Sequence, residues 1–262
     1  MNRAFSVVFV VPAWVWVGAM GLVFPAGLLG LWMLAASAGW LPPQILPAPS
    51  DVASALHDLA VSGDLARNTG ISLLRVVEGF AAGAALGLVL GIAMGLSPTT
   101  EDVVKPLFTA FAQVPTLGWI PFLMLIVGIG EPLKVIVIAK AALVPVTLNT
   151  LAGIRGVPAM YKEVGALYRF SRWQMLTKVI LPAAVPPIFT GFRYGLTHSW
   201  NALVAVELLA SAEGLGYLLV WGRQMFWLDT MMAAMLIIGI VGFALDRVMA
   251  SIEASLQRWR PA

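Results

Sequence analysis

The chain has 262 residues, of which 60% are hydrophobic and 11% charged, whereas soluble domains carry about 25% charged residues. That balance, with a mean hydropathy of +0.90, excludes an ordinary soluble fold. The formal net charge of +3 is small and its basic residues cluster in particular loops, so they report membrane orientation and not nucleic-acid binding. Cysteine is absent, which excludes disulfides, thiol catalysis and thiolate metal sites.

Several continuous runs rich in Leu, Ala, Val and Gly reach the roughly 20 residues a helix needs to cross a hydrocarbon core. They lack the alternation of a membrane β-barrel, so the expected fold is an all-α integral membrane protein with six transmembrane helices. At the N-terminus, Arg3, an apolar run and Ala36-Ser37-Ala38 have the outline of a secretory signal. The run from Phe5 to Ala38 is far longer than the roughly 7 to 15 residues of a signal core, and Pro12 and Pro25 interrupt it. Residues 1–21 are therefore expected to form a cytoplasmic or interfacial segment, and 22–262 a single transmembrane domain.

The first span is expected at about 22–38, ending before Pro42-Pro43. From Pro47 to about Arg67, the caps Ser50 and Asp51 and the polar His57, Asp58 and Asp64 predict a surface helix. A second span, from about Ile71 to Leu96, carries Gly79, Gly83, Gly87, Gly91 and Gly95. One glycine every four residues makes a stripe down one helix face, which predicts close packing on another membrane helix. The third span holds Pro106, Pro115 and Pro121 and should be kinked or broken. The fourth runs from about Leu133 to Leu151, the fifth from about Pro187 to Leu209, and the sixth from about Thr230 to Met249, with a polar loop at 210–229.

Lysine and arginine divide unequally between the two ends. Arg3, Lys105, Arg155, Lys162, Arg169, Arg172, Lys178, Arg247, Arg258 and Arg260 fall on one side, and Arg67, Arg75, Lys134 and Arg223 on the other. The first side is expected to be cytoplasmic, with both termini there. Trp40, Trp221 and Trp227 at one edge, and Trp173 and Trp259 at the other, fit interfacial belts.

Between the fourth and fifth spans, residues 155–182 form a polar, helical stretch able to act as a lever against a partner. Glu163, Ser171, Arg172, Trp173, Leu181 and Pro182 resemble the EAA loop of permeases of the binding-protein-dependent transport family. Val164 and Gly165 stand where that pattern has alanines, and Arg169 where it has glycine; Ala166 and Tyr168 lie between. Leu46-Pro47-Ala48-Pro49-Ser50, Val114-Pro115, Ile120-Pro121, Gly191-Phe192-Arg193, Ala205 to Ala210 and Gly214-Leu215-Gly216-Tyr217 extend the resemblance to the nitrate/sulfonate/taurine branch, over the chain from Pro25 onward. The resemblance implies a type I importer permease in a bacterial inner membrane. It further implies a homodimer, two ATPase subunits and a periplasmic solute-binding protein. The solute would be small, an anion such as nitrate, sulfonate or taurine, although related permeases carry aromatic acids or vitamins.

In that reading Glu163 caps the coupling helix or pairs with a basic group on the ATPase; the plain alternative is a solvated carboxylate on an ordinary helix. The chain has no Gly-x-x-x-x-Gly-Lys-Ser/Thr phosphate loop, and Gly128-Ile129-Gly130 and Gly214-Leu215-Gly216 lack a third glycine. ATP and Mg are therefore expected at the partner ATPase, with no cofactor on this chain and no enzyme activity of its own. No His, Asp or Glu cluster has metal spacing and no Ser/His/Asp set is evident.

On the fifth span Arg193, Thr197, Trp200, Val204 and Glu207 are spaced four, three, four and three apart, on one helical face. That face, with Asn201, is a candidate translocation path in which Arg193 attracts an anion; the alternative is an arginine that snorkels to a carbonyl or lipid phosphate. Lys140 sits midway along the fourth span, on roughly the face of Thr147, either adding positive potential to an anion path or pairing with Glu207 or another acid. His198 points away from the Arg193 face and reads as a packing or hydrogen-bonding residue, not a ligand or proton relay. An ATPase-independent secondary transporter is the competing class, but it would normally show internal repeats and intramembrane carboxylates, for which only Glu207 is a candidate. An intramembrane enzyme would need a catalytic constellation that is not found.

Overall fold

The computed structural model describes residues 13–256. Arg3, Pro12, Arg258, Trp259 and Arg260 lie outside the described residues, as does most of the segment expected at 1–21. Helix α1 (Ala13–Ser37) begins before the expected boundary at residue 22. Then come α2 (Pro49–Val61), α3 (Asp64–Leu96), α4 (Pro98–Gln113), α5 (Ile120–Val127), α6 (Glu131–Arg155), α7 (Ala159–Leu167), α8 (Arg172–Met175), α9 (Leu181–Ala210), α10 (Leu215–Gln224) and α11 (Leu228–Leu256). Four helical segments are long and apolar enough to cross a membrane: α3, α6, Arg172–Ala210 and α11. Counting α1 and the α4/α5 pair, each of the six expected apolar segments is helical.

The third segment is broken more sharply than a kink. α4 and α5 meet at 89°, with a 3₁₀ turn at Thr116–Trp119 between them. Pro115 and Pro121 supply the cause, since each lacks the N–H that a continuing helix would use. Three expected boundaries also move. α2 and α3 part at Ser62-Gly63, with Gly63 at φ +82, a value that favours glycine. At the start of α2 the backbone N–H of Ala48 donates to Asp51 Oδ2 at 3.1 Å, so Asp51 works from inside the first turn and Ser50 is not the cap. α9 starts at Leu181 and carries Pro186 and Pro187 inside it, so the fifth span reaches back into the loop before it.

The core is the α3–α6–α9 layer. The glycine stripe of α3 lies against α6: a Cβ on Gly79 would meet Ile138 Cβ at 2.6 Å, on Gly83 the Ala139 carbonyl oxygen at 2.1 Å, and on Gly91 Thr150 Cβ at 2.5 Å. α6 in turn packs on α9, where Gly191 and Gly195 approach Pro145 and Val146. α11 covers the other side of α9, with Trp200 of α9 lying on Gly242 of α11. The segment expected as a polar loop at 210–229 contains α10, which buries Leu215, Gly216, Leu218 and Gly222.

The charged residues sort to opposite ends of the bundle. At one end Glu101 pairs with Lys105 at 2.7 Å and with Arg155, tying α4 to the end of α6. At the other, Arg67 pairs with Glu213, and Arg75 and Lys134 both reach Glu131. Arg75 and Lys134, counted from sequence on the less basic side, are at that end of the bundle and buried within α3 and α6.

Candidate functional site

Two regions carry the candidate residues. The first is the loop 155–182. α7 presents Met160, Tyr161, Val164 and Leu167 to the outside, Leu167 at 83% exposure, and Trp173 follows on α8 at 71%. α7 is outside the candidate spans, so an apolar set this exposed on it marks an interaction surface. Glu163 lies mid-helix among them, exposed, with no hydrogen bond or ion pair among the described residues. The N-cap position of α7 is Pro158, so Glu163 does not cap this helix.

The turn after α7 is a Schellman motif. Phe170 N–H donates to Gly165 O at 3.0 Å and Arg169 N–H to Ala166 O at 2.9 Å, while Arg169 sits at φ +53. This is the left-handed position that glycine fills without strain, so the arginine keeps the turn at a backbone cost of about 1–2 kcal/mol. Gly165 is buried under Met175, whose terminal methyl lies 2.7 Å from the point a Cβ at residue 165 would occupy. Tyr168 stacks at a tilt on Phe170, 6.1 Å between centroids. Ser171 then caps α8: its Oγ accepts from Gln174 N–H at 3.2 Å and Gln174 Oε1 accepts from Ser171 N–H at 2.9 Å, a capping box. Arg169→Gly should relieve the turn by about 1 kcal/mol, slowing amide exchange across 164–171 about fivefold; faster exchange would assign the arginine side chain a stabilising contact.

α8 does not stop at Met175. A π-helical turn, Leu176–Ile180, joins it to Leu181 and Pro182 at the start of α9, so that Arg172–Ala210 is one helical run of 39 residues. Of the exposed loop surface, Trp173 therefore sits on an extension of a spanning helix, while α7 is joined to that extension through the turn at Arg169.

The second region is the bundle interior, where the single face expected on α9 meets different neighbours at different heights. Arg193 pairs in a fork with Asp246 of α11, Nε at 2.7 Å and Nη2 at 3.0 Å, and Nη1 reaches Glu253 at 3.4 Å. Two carboxylates more than offset its charge. Neither the anion-attracting role nor the snorkel to a carbonyl or lipid phosphate describes it. Thr197, Trp200 and Asn201 share a cavity of ≈ 340 Å³ with Asp246 at the α9–α11 seam, although Trp200 itself is mostly packed into the core. Val204 is half-buried against the same core.

Glu207 lines neither the cavity at the α9–α11 seam nor the one at the α4/α5 break. It is fully buried, accepting from Ser72 Oγ at 2.9 Å, Arg75 Nη1 at 2.7 Å and the Gly216 N–H at 2.9 Å. Leu215 N–H donates to Ser72 Oγ and Gly214 N–H to Asn68 Oδ1. A Cβ on Gly214, at φ +110, would stand 2.2 Å from Glu207 Oε1. The Glu207 and Gly-Leu-Gly pieces are thus one construction: a carboxylate seated on the N-terminus of α10, where backbone N–H groups and helix dipole favour negative charge. Arg75 and Ser72 complete it, and their burial in α3 was the missed signal.

Lys140 does not pair with Glu207. Its Nζ donates to Val114 O at 2.6 Å and Thr116 Oγ1 at 3.3 Å and lies 5.4 Å over the Phe111 ring. It opens onto a cavity of ≈ 520 Å³ between the α4/α5 break, α6 and α9, lined also by Asn149, Tyr194 and His198. Thr147 is buried, its hydroxyl donating to Leu143 O, and is not part of it. His198, read from sequence as a packing or hydrogen-bonding residue, is exposed to this cavity and not packed in the core. Among the described residues no group of three His, Asp or Glu is arranged to hold a metal.

The family model described as "Binding-protein-dependent transport system inner membrane component" matches residues 83–258. A permease protein named for aliphatic sulfonates transport, SsuC of Bacillus subtilis, is 36% identical over 240 residues, 92% of this chain and 87% of the relative. The taurine transport system permease protein TauC of Escherichia coli is 32% identical, covering 89% and 87% of the two chains. The nitrate import permease protein NrtB of Synechocystis is 33% identical, covering 80% and 79%. In shape the chain is similar to the MetNI methionine ABC transporter in inward-facing conformations, with a TM-score of 0.60 at 18% identity over 71% of this chain and 92% of that one.

Proposed function

The chain belongs to the family of binding-protein-dependent transport system inner membrane components, and we propose that, as the permease subunit of an ATP-driven importer, it carries a small anion such as a sulfonate, taurine or nitrate. Two copies would assemble with two ATPase subunits and receive the solute from a periplasmic binding protein. ATP and Mg then belong to the ATPase subunits. The protein would lie in a bacterial inner membrane with the loop 155–182 and both termini cytoplasmic. The excess of lysine and arginine at that end supports this orientation.

The observation that carries the reading is the unbroken run Arg172–Ala210. An ATPase that closes on ATP can move a spanning helix only if the element it grips is rigidly joined to that helix. Here α8, which exposes Trp173, continues through the π-helical turn directly into α9, and α7 is held to it by the turn at Arg169 and by Met175 packed on Gly165. Glu163, Val164, Gly165, Ala166, Tyr168, Arg169, Ser171, Leu181 and Pro182 would form or support the gripped element. Glu163, exposed and unpartnered among the described residues, is available to a basic group of the ATPase.

The test is ATP hydrolysis in proteoliposomes holding the chain, its ATPase and its binding protein. Loaded binding protein should stimulate hydrolysis, and Glu163→Ala should lose most of that stimulation while the assembly stays intact. Full stimulation in Glu163→Ala would remove the carboxylate from the coupling contact. Uptake that persists with the ATPase absent would turn the reading to a secondary transporter.

A further inference from the structure

We propose that the cavity at the α4/α5 break is a binding site, within the permease, for a small oxyanion, with Lys140 as its charge. This rests on the anion-import reading above. Lys140 is the tenth of the 25 residues of α6, about 14 Å from one end and 22 Å from the other at 1.5 Å per residue. A cation at that depth is costly, faces a cavity or a partner, and marks a functional position.

The other buried or half-buried cations of the bundle have carboxylates: Arg75 has Glu131 and Glu207, Lys134 has Glu131, and Arg193 has Asp246 and Glu253. Lys140 has none within salt-bridge distance among the described residues. Its two neutral acceptors, Val114 O and Thr116 Oγ1, hold two of the three ammonium protons. One N–H is left, and although the Phe111 ring lies 5.4 Å from the ammonium, no carboxylate offsets its charge where Lys140 borders the cavity.

The rest of the lining suits an anion and not a cation. Thr116, Tyr194 and His198 bring groups that can donate, while the walls at Ala141, Val144 and Leu148 are apolar. Among the described residues no carboxylate lines the cavity. Its ≈ 520 Å³ lies in the usual range for small-ligand sites and leaves room for nitrate or an alkylsulfonate with water. Tyr194 and His198 make no hydrogen bond among the described residues, so their polar atoms are available. The broken span serves the site, because the carbonyl freed at Val114 orients the ammonium.

The experiment uses the permease–ATPase complex in nanodiscs without the binding protein, and radiolabelled methanesulfonate as probe. Saturable binding is expected, displaced by nitrate and not by the neutral isostere dimethyl sulfone. Lys140→Gln should weaken it at least tenfold. Because Lys140 also holds the end of α4, a second variant is needed, and Tyr194→Phe with His198→Leu leaves that contact in place and should weaken binding several-fold. Absence of saturable binding, displacement by dimethyl sulfone, or wild-type affinity in both variants would overturn the site. Uptake by the full system with its binding protein is scored in parallel: anion uptake without binding overturns this site alone, and binding without anion uptake overturns the import reading alone.

Discussion

Arg75→Met should be among the most damaging single substitutions in the chain, costing about 3–5 kcal/mol of stability, the usual loss when a buried ion pair loses one member. The reason is an asymmetry between the partners. Arg75 makes a second fork to Glu131, Nε at 2.7 Å and Nη2 at 2.6 Å, and it donates to Glu213 O at 2.8 Å. Among the described residues Glu207 has no charged partner but Arg75, and its side chain is 0% exposed. Removing the arginine leaves a buried anion held by Ser72 and the Gly216 N–H alone. Glu207→Gln, by contrast, leaves no buried charge and keeps Arg75 paired with Glu131, but its single amide oxygen cannot serve both Arg75 Nη1 and the Gly216 N–H, which use different carboxylate oxygens, so it should cost about 1–3 kcal/mol. The double variant Arg75→Met/Glu207→Gln should recover much of the loss of Arg75→Met. Reversible unfolding in mixed micelles reads all three, and an Arg75→Met no less stable than Glu207→Gln would show that the carboxylate finds another partner. The same network seats the loop Ser211–Gly216 and the start of α10 on α3, so the weakened variant should also expose this end of the bundle to proteases.

What could be read in the sequence was whatever a single element declares by itself. The glycine stripe of α3 needs only a period of four to announce a close helix neighbour. The prolines of the third span announce a break. What could not be read is what stands opposite. Arg193, Thr197, Trp200, Val204 and Glu207 do share a face, as their spacing requires, but a helix of 30 residues meets α11 at one height and α3 and α10 at another. The partner of Glu207 is 132 residues away and that of Arg193 is 53 away, and no local period encodes either. Lys140 was legible as an anomaly, a cation deep in an apolar run, and its surroundings were not. Its cavity exists because α4 and α5 turn by 89°; the prolines predict that a bend occurs but not the side to which it opens. His198 falls on the far side of α9 from Arg193, which is why the spacing argument set it aside and the fold brings it to Lys140.

Gly83→Ala is expected to cost about 3 kcal/mol, the upper part of the range for overpacking a membrane or protein core, although it adds a single methyl. The Cβ of an alanine there would lie 2.1 Å from the carbonyl oxygen of Ala139 and 2.8 Å from its carbonyl carbon and Cα. All three are backbone atoms of α6, so no side-chain rotation relieves the clash, and the helices must separate by about 1 Å to reach van der Waals contact. A gap of that size forfeits between a quarter and a half of each dispersion contact along the seam. The loss spreads to Gly79, Gly87 and Gly91, which approach α6 on the same stripe. Without water to repel apolar surfaces from the lipid, this packing is most of what holds two membrane helices together. Gly165→Ala supplies the control, because the atoms it meets are the terminal methyl and sulfur of Met175, a side chain with three rotatable bonds that can move aside. The expected outcome is a stability loss for Gly83→Ala several times that of Gly165→Ala in the same unfolding assay. Equal small losses would mean that α3 and α6 separate without cost and that the glycine stripe is not what fixes their approach.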